Sequence, residues 1–159
     1  MAASLPLLRG SITLADALQK DDNILLELSY PEKRLNFYLD LYQRRSVIEA
    51  LVAHHLRLPL QACKTAEVKE WIHGSFNVCI PVDIILVGRH HSLAKKVIIR
   101  IPLPYKLGES CHPGNAEEKL RCEVATYAWI QQNCPTVPIP RLLGFGFPGG
   151  HSVCESDPA

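Results

Sequence analysis

One arginine and one glutamate stand out because each is a charged exception in an apolar pattern. Arg100 is the only charge within the run VIIRIPLP, at residues 97–104. Glu123 lies at the border of the apolar face of a predicted helix, where an unpaired carboxylate is costly. That face consists of Leu120, Val124, Tyr127 and Ile130. We therefore predict that Arg100 and Glu123 form an ion pair, either as a purely structural salt bridge or as part of an anion site.

A glycine turn precedes this pair in the sequence and has the composition of a hairpin tip. It comprises Gly74, Ser75, Phe76 and Asn77. Backbone amides at such a tip can bind phosphate oxygens. A hairpin tip, a strand cation and a helix acid, in that order, hold the nucleotide phosphates in the amino-terminal lobe of kinases. The order predicts a phosphate site, although one glycine turn is by itself most often only a turn.

The elements that must position these residues follow from periodicity. Apolar spacing of three and four predicts a helix from Lys33, after Pro31 ends an earlier helical segment. A second helix is predicted from Ser46, which would form a capping box with Glu49. His54 and His55 lie near the end of the predicted helix, where a protonated imidazole interacts favourably with the helix dipole. Adjacent residues diverge by about 100° around a helix, so we do not interpret the two histidines as a metal-binding pair.

The rest of the chain predicts an antiparallel sheet covered by one helix. Period-two patterns indicate strands on both sides of Gly74 and a third at residues 95–103, after a turn at residues 88–92. Asn115 would cap a helix that runs to about Gln132, with Glu118 three residues on. A fourth strand is predicted at residues 141–147. The fold class is thus α+β, with residues 1–60 a helical extension, 61–148 the lobe and 149–159 a disordered tail.

Composition excludes several classes of partner. The net charge of +1 provides no field that would attract nucleic acid, and no apolar run has the length of a membrane span. The amino terminus lacks the basic start of a signal peptide. Six cysteines occur without a CxxC pair. An even number suits disulfides, but without a secretory signal we predict free thiols in a reducing, cytoplasmic environment.

The same segments resemble a known family. Residues 33–147 are similar to the amino-terminal part of aminoglycoside phosphotransferase-like proteins, especially the fungal group. The matching segments are IEALVAHHL, KEWIHGSFNVCIPV, VIIRIPLP and EKLRCEVATYAWIQQNCPTVPIPRLLGFGF. The resemblance implies a protein-kinase-like fold that binds ATP. The turn at Gly74 would take the place of the phosphate-covering loop, Arg100 would stand where kinases commonly carry lysine, and Glu123 would orient Arg100.

The resemblance also implies a carboxy-terminal lobe that supplies the catalytic and magnesium-binding residues. No His-x-Asp motif occurs in this sequence. We therefore expect a truncated phosphotransferase that does not transfer phosphate alone and would bind Mg²⁺ only with the missing lobe. A second hypothesis is a non-catalytic interaction module or pseudokinase fragment. In that case residues 33–58 would form a partner surface, and the exposed lobe interface would drive self-association or bind another chain.

Overall fold

The computed structural model describes residues 3–85, 96–148, 150 and 152–154. Helices and antiparallel strands are both present, so the predicted α+β class is confirmed, while the kinase-like lobe stays a prediction. The chain divides into two compact units, Met1–Arg44 and Arg45–Ala159. Within the described residues, no helix is both long and apolar enough to cross a membrane.

The first unit begins with a small hairpin followed by a single helical turn. Strands β1 (Ser4–Pro6) and β2 (Ser11–Thr13) pair antiparallel, and α1 (Leu14–Ala17) follows directly. The Thr13 hydroxyl caps α1 by accepting a hydrogen bond from the amide of Asp16 at 3.2 Å. The predicted helical extension therefore contains a hairpin that the apolar pattern did not indicate.

The long helix α2 (Ile24–Gln43) passes through Pro31. The prediction that Pro31 ends a helical segment is therefore wrong. A proline inside a helix removes one backbone hydrogen bond and costs about 3 kcal/mol. The other bonds of this helix remain, and its start is fixed by the Asn23 side chain, which accepts a hydrogen bond from the amide of Leu26 at 3.1 Å. One continuous helix thus replaces the two predicted segments.

The main sheet lies in the second unit and is built around β5 (Asn77–Ile84). Strand β6 (Lys96–Pro102) pairs with one edge of β5, while β3 (Cys63–Thr65) and β4 (Ile72–His73) share the other edge, all antiparallel. The predicted strands on both sides of the glycine turn and at residues 96–102 are confirmed. Strand β3 was not predicted, because three residues are too few to show alternation. The predicted turn at residues 88–92 lies outside the described residues.

The two faces of the sheet have different surroundings, as the alternation along β6 predicted. The inward residues of β5 are fully buried, and these are Val78, Ile80 and Val82. Their register partners on β6 are Ile101, Ile99 and Val97. On the opposite face Arg100 pairs in register with Cys79, and Ile98 is 58% exposed. The core therefore lies on one side of the sheet and Arg100 on the other.

Helix α3 (Arg45–Leu56) contacts β3 and contributes to this unit's core. Its buried residues are Ile48, Val52 and Ala53. The predicted capping box is wrong, because the helix already includes Ser46. The Glu49 carboxylate instead accepts hydrogen bonds from the amide and hydroxyl of Thr65, at 2.9 and 2.7 Å. A tertiary contact to the sheet has thus replaced the local cap.

Helix α4 (Asn115–Asn133) has the predicted extent, but its cap differs from the prediction. Gly114, with φ of +102°, precedes the first turn. The Glu109 carboxylate accepts hydrogen bonds from the amides of Gly114 and Ala116, both at 2.7 Å. The Asn115 side chain points back and donates to the Leu107 carbonyl at 2.8 Å. A loop carboxylate therefore caps α4, and Asn115 ties the loop to the helix.

The end of the described chain forms a second small sheet. Strand β7 (Gly144–Gly146) lies within the predicted fourth strand, but pairs antiparallel with β8 (Ser152–Cys154) in a separate two-stranded sheet. Strand β8 falls in the segment predicted as a disordered tail, and residues 149, 151 and 155–159 lie outside the described residues. All six cysteines are free thiols, as predicted.

Candidate functional site

The predicted ion pair between β6 and α4 is present. Arg100 Nη2 lies 3.1 Å from Glu123 Oε1, with the side chains 43% and 26% exposed. Sheet alternation directs Arg100 away from the core, and the helical period directs Glu123 towards the same side. Arg100 is therefore exposed and Glu123 partly buried, so a ligand can reach the pair, as an anion site requires.

Lys119 is a second cation of this cluster, and the sequence patterns did not identify it. Its Nζ contacts the same Glu123 Oε1 and donates a hydrogen bond to Asn77 Oδ1 at 3.2 Å. Lys119 and Glu123 are separated by four residues, the spacing of neighbours on a helix surface. That spacing was the available signal, but it is equally typical of solvated surface pairs. The contact with the buried Asn77 distinguishes Lys119 from such a pair.

The glycine turn closes the hairpin between β4 and β5. The Gly74 amide donates to the Asn77 carbonyl at 2.9 Å, so this amide is committed within the hairpin. A Cβ atom on Gly74 would lie 3.2 Å from that carbonyl oxygen, so a larger residue would press on the turn. Ser75 and Phe76 are exposed at the tip. Their amides are thus the candidates for contact with a ligand, and the Phe76 carbonyl accepts from the amide of Leu103 at 2.9 Å.

These elements line an open cavity of about 260 Å³. Its lining comprises Ile72, Gly74, Ser75, Phe76, Asn77, Cys79, Arg100, Lys119 and Glu123. All six residues predicted for the site are among them. The turn, the strand cation and the helix acid, which follow one another in the sequence, therefore line the same cavity.

Comparison of the chain with protein-family models, with curated proteins and with solved structures finds no match.

The charges of the cavity favour an anion. Two cations, Arg100 and Lys119, share the single carboxylate of Glu123, which leaves a formal charge of +1 among the described lining residues. Guanidinium and ammonium groups are the side chains that bind phosphate oxygens, through charge-assisted hydrogen bonds. The described lining thus fits a phosphate group.

The same lining does not fit a magnesium ion. Mg²⁺ requires oxygen ligands in octahedral geometry and is usually held by one or two carboxylates besides substrate phosphates. Glu123 provides the only carboxylate among the described lining residues, and both cations already contact it. More widely, no group of three or more histidine, cysteine or acidic side chains in the described chain is arranged to hold a metal.

The size of the cavity limits what it can enclose. Sites that bury a whole drug-sized ligand measure roughly 300–1,000 Å³. A cavity of about 260 Å³ is smaller. It therefore suits a small ligand, or part of a larger one with the remainder outside the cavity.

Proposed function

We propose that the cavity binds the phosphate groups of ATP, and that the chain is the small lobe of an aminoglycoside phosphotransferase-like protein. Intact proteins of that family transfer phosphate from ATP to a hydroxyl of a small molecule. The observation that carries the proposal is the convergence of the glycine turn, Arg100 and Glu123 on one cavity. The acceptor hydroxyl would be bound by other parts of such a protein.

Each lining residue has a role in this proposal. Arg100 and Lys119 contact phosphate oxygens, and Glu123, whose Oε1 both cations contact, holds them in place before the ligand arrives. Preordering of long cationic side chains lowers the entropy cost of binding. The exposed amides of Ser75 and Phe76 cover the phosphates at the hairpin tip. Asn77 keeps Lys119 directed into the cavity through its side-chain oxygen.

A second candidate function, a protein-interaction module, is favoured by the surface of α4. In the described part of the chain, none of the helix's residues is fully buried, and Trp129 is 59% exposed. Its apolar face is only half-buried, and that face comprises Leu120, Val124, Tyr127 and Ile130. Faces of this kind can bind another chain. Light scattering after size exclusion, over a hundredfold range of protein concentration, would detect self-association through it.

The decisive experiment for the nucleotide proposal is calorimetric titration with a non-hydrolysable ATP analogue at an ionic strength of about 0.15 M, where the Debye length is about 8 Å. Replacing Arg100 or Lys119 with alanine removes a charge-assisted hydrogen bond, each of which contributes about 1.5–3 kcal/mol, so we expect affinity to fall about tenfold or more. Inorganic triphosphate should bind as the analogue does, whereas adenosine should not bind measurably. This pattern would locate recognition in the phosphate chain.

The matched control is Lys96→Ala, which removes a cation from the same strand but outside the cavity. Lys96 contacts Glu70 and Asp83, 3.9 and 3.3 Å from their carboxylates. Its loss should change affinity less than about twofold, because exposed charges far from the ligand are screened. Equal losses in Arg100→Ala and Lys96→Ala would mean diffuse attraction to the surface. Absence of binding to the wild-type protein would leave the interaction module as the better function.

A further inference from the structure

A cysteine and a histidine from distant parts of the chain meet outside the cavity. Cys154 lies on β8 and His55 on the last turn of α3. The Cys154 Sγ atom lies 3.1 Å from His55 Nδ1, in a half-buried position. This distance is within reach for direct proton transfer between a thiol and an imidazole. The other five cysteines have no such described contact with a histidine.

Gly144 makes room for this approach. It is the register partner of Cys154 on β7. A Cβ atom at Gly144 would lie 2.3 Å from His55 Nδ1, a distance no real side chain tolerates. Glycine on a strand often marks such a close approach of another group. The imidazole ring therefore reaches the sulfur only because the residue opposite the cysteine has no side chain.

The His55 ring rests in its neutral form, which has a free lone pair for a proton. Burial, and then the neighbouring His54, lower the pKa of His55, so its ring is neutral near neutral pH. The Cys154 thiol can then donate to Nδ1. Cys63 differs, since burial and then the charge of Glu49 raise the pKa of its thiol. Cys63 is therefore expected to be inert.

We propose that Cys154 and His55 form a nucleophile–base pair that makes Cys154 a site of covalent modification by small hydroperoxides. His55 Nδ1 takes the thiol proton, and the sulfur attacks one peroxide oxygen. An S–O bond forms as the O–O bond breaks, and the leaving hydroxide or alkoxide takes the proton from the imidazolium to give water or an alcohol. The sulfur is oxidised by two electrons to sulfenic acid, and the peroxide bond is reduced by the same two.

The test compares the reactivity of all six thiols in one protein sample. The full chain is treated with hydrogen peroxide and dimedone, which traps sulfenic acid, and in parallel with iodoacetamide. Peptide mass spectrometry then gives a rate for each cysteine. Cys122 is exposed on α4 and is the reference. We expect Cys154 to react about a hundredfold faster or more, the low end of what a positioned base contributes. Exposure alone predicts the reverse order.

Three variants identify the cause of any difference. His55→Gln removes the base, and Gly144→Ala keeps both partners but displaces the ring, so both should reduce the Cys154 rate to about that of Cys122. His112→Gln changes an exposed histidine outside the pair and should leave the rate unchanged. A Cys63 rate that stays low verifies that each variant is folded, because Cys63 is buried. The proposal is overturned if wild-type Cys154 reacts no faster than Cys122, or if its rate survives both His55→Gln and Gly144→Ala.

Discussion

Arg100 and Lys119 approach the same carboxylate oxygen of Glu123 from two different elements, β6 and α4. One acid therefore neutralises only one of two cations, and the uncompensated charge faces the cavity. The arrangement also joins the helix to the sheet on the side opposite the buried core. Glu123 thus has two roles: it connects α4 to the sheet, and it sets the charge of the cavity. These two roles can be measured separately.

The first prediction concerns the contribution of the ion pair to stability. In a double-mutant cycle with Arg100→Ala and Glu123→Ala, we expect a coupling energy of about 0.5–1 kcal/mol, because both side chains are partly exposed to solvent. Urea unfolding at low salt measures it. In 1 M NaCl the coupling energy should be smaller, because the Debye length at that salt concentration is only about 3 Å. A coupling of zero at low salt would contradict the proposed link between helix and sheet.

The control for this cycle is the pair Glu117 and Arg121, which has the same chemistry on an exposed part of α4. Exposed pairs four residues apart contribute about 0.3–0.5 kcal/mol. The Arg121 guanidinium also lies 4.4 Å from the centre of the Phe147 ring, so its alanine variant loses a second contact. The double-mutant cycle cancels the energy lost with the Phe147 contact, because it measures only the coupling between Glu117 and Arg121.

The second prediction concerns the charge of the cavity. Glu123→Gln retains the shape of the side chain but removes its charge, which leaves both cations uncompensated. We expect inorganic triphosphate to bind about fivefold more tightly, since one unit charge at about 4 Å changes the energy by roughly 1 kcal/mol in water. Calorimetric titration at low salt measures the change, and Glu117→Gln is the control. Weaker binding would instead mean that orientation of the cations by Glu123 outweighs its charge.

The sequence was sufficient for Arg100 and Glu123 because each is anomalous within its own element. A lone charge in a β-strand and an acid beside an apolar helix face both require a partner, and few candidates exist. Lys119 carries no such anomaly, since a lysine four residues before a glutamate satisfies an ordinary surface pattern. Its contact with Asn77 depends on where the hairpin tip meets the helix, and periodicity within one element does not encode that meeting.

The errors at the helix starts have one physical cause. Asn115 and Ser46 satisfy the local rules for caps, yet Glu109 caps α4, and Glu49 bonds to β3. A carboxylate accepts stronger hydrogen bonds than a neutral side chain does, so a nearby acid can displace the local cap. Pro31 is another case in which a local rule fails, because the remaining hydrogen bonds of α2 compensate for the one that the proline removes. Local preferences therefore predicted α3, α4 and strands β4 to β6, but not these contacts.

The third prediction concerns stability at acidic pH. Burial opposes ionisation of Glu49, but hydrogen bonds from Thr65 and the charge of Lys64 outweigh it and lower the pKa of this carboxyl. A lowered pKa means that the folded state gains stability above the ordinary glutamate pKa, about 4.3, and loses it as the pH falls through the lower folded value. Glu49→Gln should cost about 1 kcal/mol at pH 7 and less near pH 3.

Urea unfolding of both proteins at pH 7 and pH 3 provides the measurement. Glu118→Gln is the control, because Glu118 is exposed and should give the same small difference at both values. If the cost of Glu49→Gln were equal at both pH values, its bonds to Thr65 would not depend on ionisation. The assignment of Glu49 as the acid that joins α3 to β3 would then be wrong.

The fourth prediction concerns the start of α4, on which the position of Lys119 depends. Hydrogen bonds from the amides of Gly114 and Ala116 lower the pKa of Glu109, so the ionised carboxylate is the form that caps the helix. Glu109→Ala leaves these amides without their acceptor, and we expect faster hydrogen exchange over the first turn of α4. Because Lys119 lies just beyond this turn, the affinity for inorganic triphosphate should also fall. Glu118→Ala removes the acid that was first predicted to complete the cap, and it should leave both the exchange rates and the affinity nearly unchanged. Larger effects in Glu118→Ala than in Glu109→Ala would mean that the capping box at Asn115, and not Glu109, caps the helix.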